Sequence, residues 1–87
     1  MKVYLGTITP FKGAGYYSHF HEAARLYVND WIRSQAKNAD GILDFAKLLQ
    51  DPNDDRRMKR EYASGDWLHP NPAGYKAMGI YAADIVK

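Results

Sequence analysis

The short run Gly41-Ile42-Leu43-Asp44-Phe45 decides the fold, because it predicts a buried strand directly after a helix. Before it, apolar residues recur at helical spacing, which predicts a helix from Ser18 to Lys37. Val3-Tyr4-Leu5-Gly6-Thr7-Ile8 predicts an earlier strand, which Pro10 and a pair of glycines end. Strand, helix and strand in this order predict a βαβ unit with parallel strands and a right-handed crossover.

Residue types at the ends of the segments support these boundaries. Ser18 is a candidate N-cap, and Arg33 and Lys37 lie where the dipole of the first helix favours positive charge. Asp51 opens a polar, charged loop that we expect to run to Gly65. Asn71 then caps a final helix with Pro72 at its first position, where the missing N–H of proline costs nothing. The apolar face of that helix comprises Ala77, Met78, Tyr81, Ala82 and Ile85.

Length and composition exclude several classes of protein. With 87 residues and a net charge of +2, the chain makes one small domain at most, and we predict no nucleic-acid partner. It has no cysteine, so disulfides and thiolate metal sites are excluded, and we predict no cofactor. No apolar run is long enough for a membrane span, and no signal-peptide pattern occurs. We therefore expect a soluble chain, with its compartment left open.

The run Gly65-Asp66-Trp67-Leu68-His69-Pro70-Asn71 contains an acid three residues before a histidine. This spacing lets the Asp66 carboxylate fold back and accept the Nδ1 proton of His69. The other ring nitrogen, Nε2, is then free to take a proton from a nucleophile. Asp66 and His69 are therefore the candidate catalytic residues, as the acid–base half of a nucleophilic triad.

At this motif the chain resembles the GDSL-type, or SGNH, family of serine esterases and acylhydrolases. The resemblance covers residues 1–87. It is carried by these segments in order: Gly6-Thr7-Ile8-Thr9-Pro10-Phe11, Glu22 to Arg25, Val28-Asn29-Asp30-Trp31-Ile32-Arg33, Asp40-Gly41-Ile42-Leu43-Asp44-Phe45, Asp51-Pro52, and Gly65-Asp66-Trp67-Leu68-His69-Pro70-Asn71-Pro72-Ala73-Gly74-Tyr75.

The resemblance implies a single partial domain, the C-terminal βαβ-plus-helix portion of a three-layer α/β/α, flavodoxin-like catalytic domain. It implies that His69 is the general base and Asp66 its orienting acid. The family's Gly-Asp-Ser nucleophile block and its two oxyanion-hole blocks do not occur here; the serines are Ser18, Ser34 and Ser64. We therefore expect the chain alone to be inactive or nearly so, with serine and oxyanion donors supplied by a missing N-terminal segment. The implied substrate is a carboxylic ester: a short acyl ester, a lipid or an acetylated sugar.

A second interpretation is a non-catalytic, self-associating α/β module. Two parallel strands leave edges and faces uncovered, so such a chain is expected to form a homo-oligomer, with a symmetric dimer the commonest form. In a third interpretation, Ser18 or Ser64 serves as a substitute nucleophile. Ser64 is near Asp66 in sequence, but adjacent loop positions rarely place a hydroxyl at Nε2, so this interpretation is the least favoured.

Other polar residues have structural interpretations. Asp44 ends a strand and is expected to accept hydrogen bonds from loop amides. His19 and His21 are expected to face solvent, because Arg25 stands where a helical zinc motif needs its second histidine.

The acids of residues 51–55 lack the spacing of a calcium loop, so we predict no metal. The basic run 56–60 is flanked by acids and indicates a solvated loop or short helix. Trp67 is expected either to have a packing role or to line a substrate pocket.

Overall fold

The computed structural model describes residues 1–86 and shows a small α/β domain. The elements in chain order are β1 (Tyr4–Gly6), α1 (His19–Ser34), β2 (Gly41–Leu43), α2 (Phe45–Leu49), β3 (Gln50–Asp51), β4 (Asp54–Met58) and α3 (Pro72–Val86). Single 3₁₀ turns follow α1 at Gln35–Lys37 and β4 at Arg60–Tyr62.

Strands β1 and β2 form the predicted parallel pair, in the register Tyr4–Gly41, Leu5–Ile42 and Gly6–Leu43. The pairing extends beyond the strands at both ends. The Asp40 amide donates to the Val3 carbonyl at 2.8 Å, and the Thr7 amide donates to the Leu43 carbonyl at 3.0 Å. The predicted order of strand, helix and strand, with the two strands parallel, is therefore confirmed, although each strand is only three residues long.

Two sequence expectations about the middle of the chain are wrong. Phe45 is not in the second strand; it begins α2, because the Asp44 carboxylate accepts from the Lys47 amide at 3.3 Å and caps a helix there. The segment 51–65 is not a continuous loop. It contains an antiparallel hairpin of β3 and β4, in which Met58 pairs with Gln50 and is fully buried. The burial of one apolar side chain thus anchors an otherwise charged strand.

The first helix begins as predicted but packs in an unexpected orientation. The Ser18 hydroxyl accepts from the His21 amide at 3.1 Å, which confirms the N-cap. The buried face consists of Glu22, Arg25, Asn29 and Ile32. Of the apolar residues that predicted the helix, Ile32 alone is buried; Phe20, Ala24, Tyr27, Val28 and Trp31 are exposed.

Polar contacts explain why the buried face of α1 is hydrophilic. Arg25 forms a two-point ion pair with Glu22, at 3.1 and 2.8 Å, and both side chains are at least nine-tenths buried. Arg25 also donates to the carbonyls of Ile8 and Asp55 at 3.4 Å. Asn29 accepts from the Ile8 amide at 2.7 Å and donates to the Ile8 carbonyl at 2.9 Å. These bonds satisfy the backbone that leaves β1.

The final helix begins where the sequence predicts. The side-chain oxygen Oδ1 of Asn71 accepts from the Gly74 amide at 2.8 Å, so Asn71 caps α3 ahead of Pro72. Its predicted apolar face is the partly buried one. On that face Tyr81 meets Phe45 edge to face, and its hydroxyl accepts from the Asp44 amide at 3.0 Å. Helix α3 therefore packs over β2 and α2.

We expect Gly74→Ala to destabilise the chain by about 1–3 kcal/mol, because the site has no room for a methyl group. An added Cβ would lie 2.6 Å from the Tyr62 carbonyl oxygen and 2.9 Å from the Pro70 Cβ. Gly79, in the same helix, has no atom within 4 Å of an added Cβ. Gly79→Ala should stabilise by about 0.5–1 kcal/mol. Urea unfolding measures both, and a Gly74→Ala chain as stable as wild type would contradict the packing of α3.

Candidate active site

The candidate catalytic residues lie in a loop closed by backbone pairing. Ala63 and Pro70 form an antiparallel bridge, and the Ser64 amide donates to the His69 carbonyl at 2.9 Å. Within the loop, the Trp67 amide donates to the Ser64 carbonyl at 3.0 Å and makes a tight turn. The loop ends at Asn71, whose side-chain NH₂ donates to the Glu61 carbonyl at 2.9 Å. The loop is thus fixed at the start of α3.

Asp66 holds its own loop and the His69 imidazole with different oxygens. Its Oδ1 accepts from the amides of Leu68, at 2.9 Å, and His69, at 3.0 Å. Its Oδ2 lies 2.8 Å from His69 Nδ1. The imidazole hydrogen bond and the two amides hold the pKa of Asp66 far below its usual range, so the carboxylate stays ionised at neutral pH. The interaction predicted from the Asp-x-x-His spacing is formed.

This geometry fixes the tautomer of His69. In the neutral imidazole, Nδ1 carries the proton because it faces an ionised carboxylate, and Nε2 has the lone pair. Within residues 1–86, no hydrogen bond engages Nε2. The side chains of His69 and Asp66 are 64% and 51% exposed, so Nε2 is accessible to a reacting group from outside the loop. The pair is able to take a proton from a hydroxyl and return it.

Trp67 connects this loop to the loop that follows β1. It has a left-handed backbone, φ 57°, and its indole lies against Gly13, which also has a positive φ of 104°. A Cβ on Gly13 would lie 2.9 Å from the indole Cγ. The Arg57 guanidinium lies 5.7 Å from the indole centroid, within the range of a cation–π interaction. Trp67 therefore has the packing role, and also borders a cleft lined by Arg60, Ala63, Ser64 and Gly65.

We expect Gly13→Ala to destabilise the chain by about 1–3 kcal/mol and to displace the Trp67 indole, since a side chain there is strained and crowded. Thermal unfolding gives the first effect, and the Trp67 indole N–H resonance reports the second. Gly15→Ala is the matched control, because an added Cβ at Gly15 meets no atom within 4 Å. Unchanged unfolding and an unshifted resonance in Gly13→Ala would contradict the contact.

The three serines lie in local hydrogen bonds that do not involve the His69 side chain. Ser64 Oγ donates to the Pro70 carbonyl at 3.1 Å, and Ser34 Oγ donates to the Trp31 carbonyl. Ser18 Oγ serves the N-cap of α1. In the described part of the chain, no serine hydroxyl is hydrogen-bonded to the imidazole. The structure thus brings Asp66 and His69 together without a nucleophile from these serines.

Asp44 has a structural role, as expected, but its partners are two side chains and an amide of α2 rather than the expected loop amides. It accepts two hydrogen bonds from Arg33, at 3.0 and 3.1 Å, and one from the Thr7 hydroxyl at 2.9 Å. Burial raises the pKa of Asp44, but the bonds from Arg33 and Thr7 outweigh it and hold the pKa below its usual value. Thr7 in turn accepts from the Ala46 amide at 2.9 Å. Asp44 therefore joins α1, α2 and the end of β1.

The remaining candidate residues are at the surface. His19 and His21 are exposed, as predicted. The Arg56 and Arg57 side chains are nearly half exposed, but they lie on strand β4 rather than in the expected loop or helix.

Over residues 1–86 no group of three or more histidines or acids is arranged to hold a metal ion. In the same range, no helix has the length and apolar character needed to cross a membrane.

The contact between Gly13 and Trp67 was missed by the sequence interpretation. In the sequence, Gly13 and Gly15 indicated only the end of the first strand; the structure shows that the Trp67 indole packs against Gly13.

No protein-family model matches this chain, and no curated protein sequence matches it either.

Proposed function

We propose that this chain is the C-terminal portion of a GDSL/SGNH-type carboxylic ester hydrolase and supplies the acid–base half of its triad. The single observation that carries the proposal is the 2.8 Å contact between Asp66 Oδ2 and His69 Nδ1, with Nε2 open to solvent. The proposal includes the three-layer α/β/α fold of that family, of which β1, α1, β2 and α3 would be one part.

His69 would act first as a base and then as an acid. Its Nε2 takes the proton of a serine hydroxyl while the serine oxygen attacks the ester carbonyl. The resulting imidazolium, stabilised by Asp66, then gives that proton to the departing alcohol. Water repeats the two steps on the acyl-enzyme and releases the acid. Asp66 remains an anion throughout and fixes the imidazole tautomer.

In this proposal the serine and the oxyanion donors come from a polypeptide segment that this sequence does not contain. The free edge of β1 offers a place for that segment, because the β1–β2 sheet has two strands within residues 1–86. A parallel strand added there would end at the same edge as β1 and β2, where open α/β sheets bind ligands. Trp67 and Gly13 connect the His69 loop to the segment that follows β1. The substrate would be a short acyl ester, a lipid or an acetylated sugar.

The test is complementation. The purified chain is mixed or fused with the serine-bearing N-terminal portion of a GDSL-type esterase that lacks its own Asp-x-x-His block. A short-chain chromogenic ester is the substrate. We expect near-background hydrolysis by either piece alone and a clear rate from the combination. A combination that folds and associates but hydrolyses no faster than its parts would overturn the proposal.

A further inference from the structure

The outward face of α1 is an apolar surface on the side of the helix away from the domain. It consists of Phe20, Ala24, Tyr27 and Trp31, with Val28 at its margin; we call it the α1 stripe. Phe20 is 87% exposed, Tyr27 78% and Trp31 56%. At 100° per residue these positions point away from the Glu22–Arg25 ion pair on the buried face. Three neighbouring exposed aromatic side chains indicate an interaction surface.

We propose that the α1 stripe is the interface of a symmetric homodimer in which α1 packs antiparallel on α1 of a second copy. This inference does not depend on the esterase proposal. The sequence led us to expect self-association through the edges of the two-stranded sheet; the proposed interface is instead the outer face of α1.

The spacing of the stripe is self-complementary. Phe20 and Trp31 lie equally far from the midpoint between Arg25 and Leu26, and so do Ala24 and Tyr27. An antiparallel two-fold pairing about that midpoint therefore aligns Phe20 of each copy with Trp31 of the other. It also sets the small side chain of Ala24 opposite the large ring of Tyr27. At the centre of the interface each Tyr27 thus packs against an Ala24, and at each end a Phe20 packs against a Trp31.

The exposed area is sufficient for a modest dimer. The three aromatic side chains together expose roughly 450–500 Å². With Val28 and the flanking groups, each copy would bury about 600 Å², which reaches the lower limit of specific interfaces, about 1,200 Å² in total. An association at the weak end of the specific range is therefore expected.

Charges along the stripe fit the antiparallel arrangement. Asp30 and His19 lie on one flank of the stripe, near opposite ends of α1. The two-fold axis brings the Asp30 carboxylate of each copy near the level of the second copy's His19 imidazole, so no like charges face each other on this flank. The two helix dipoles also run in opposite directions.

Sedimentation equilibrium from about 1 μM to about 1 mM tests the proposal, with an apparent mass approaching twice that of the chain expected. Phe20→Lys and Trp31→Glu should each weaken self-association by tenfold or more, since a charge would replace an aromatic contact. Both positions are exposed, so circular dichroism should show an intact fold. Ile80→Lys is the matched control, because Ile80 is 63% exposed on α3 and off the stripe; it should leave association unchanged.

Mixing the two charged variants tests the register. In the proposed pairing the mixture restores one Phe20–Trp31 contact and forms one Lys–Glu pair, so a heterodimer should appear where each variant alone is monomeric. A wild-type chain that stays monomeric over the whole concentration range would overturn the proposal. The α1 stripe would then be a binding surface for a different polypeptide. A dimer insensitive to both substitutions would overturn it in favour of the β1 edge. A mixture that stays monomeric would overturn the antiparallel register.

Discussion

In the complemented esterase, Asp66→Asn is expected to lower kcat by about 10³–10⁴-fold with the loop still folded. Asp66 Oδ1 accepts from the amides of Leu68 and His69, so the Asn oxygen should keep those two bonds. The Asn NH₂ then faces Nδ1, where it can only donate. The proton of the imidazole moves to Nε2, and the general base is lost.

Two measurements separate this mechanism from a loss of structure. Ester hydrolysis gives kcat, and the ¹⁵N shifts of the His69 ring show which nitrogen carries the proton. His69→Ala should abolish the rate. Asp54→Asn is the matched control, because Asp54 lies on the hairpin and accepts hydrogen bonds from the Lys12 and Arg56 side chains, not from the His69 loop; the rate of this variant should equal that of wild type. Full activity in Asp66→Asn, or an unchanged tautomer, would refute the assigned role of Asp66.

Glu22→Ala is expected to destabilise the fold by about 3–5 kcal/mol, enough to unfold much of so small a domain. The Arg25 side chain is 4% exposed, and removing its partner would leave a buried guanidinium without a counter-charge. Asp30 and Arg33 form a second i,i+3 pair on the same helix, but the Asp30 side chain is 81% exposed. Asp30→Ala should therefore cost at most about 0.5 kcal/mol.

Urea unfolding of the two variants and of a double variant decides this prediction. Glu22→Leu combined with Arg25→Met removes both charges and should recover much of the loss, because apolar groups of similar size can replace a buried pair. Equal stability of Glu22→Ala and Asp30→Ala would show that Arg25 finds other compensation, and would contradict the expectation.

Local signals made much of the fold predictable. Proline at the first position of a helix, a serine N-cap and short β-prone runs each depend on a few neighbouring residues, and the structure confirms the elements they indicated. The Asp66–His69 contact was equally local, since both residues share one turn. For these features, the sequence contains nearly all of the physical information that is needed.

Features that depend on distant partners were not predictable. The hairpin of β3 and β4 contains mostly polar side chains, and its pairing depends on the burial of Met58 and Leu49 against the rest of the domain. The orientation of α1 was equally hidden. Its apolar periodicity indicates a helix, but the polar groups of Arg25 and Asn29 bind the backbone that leaves β1, and those bonds place the apolar side outward.

The hydrogen bonds of Asn29 make it possible to distinguish two local opening motions of the protein by hydrogen exchange. The Asn29 side-chain amide bonds both backbone groups of Ile8, one residue beyond the last β1–β2 backbone bond, and is 1% exposed. The Ile8 N–H lies outside any strand, yet it should exchange slowly with deuterium, because it is freed only when α1 lifts away. Slow exchange at Ile8 would thus report the docking of a helix, whereas exchange at β1 would report the sheet itself. A single amide proton distinguishes the two opening motions.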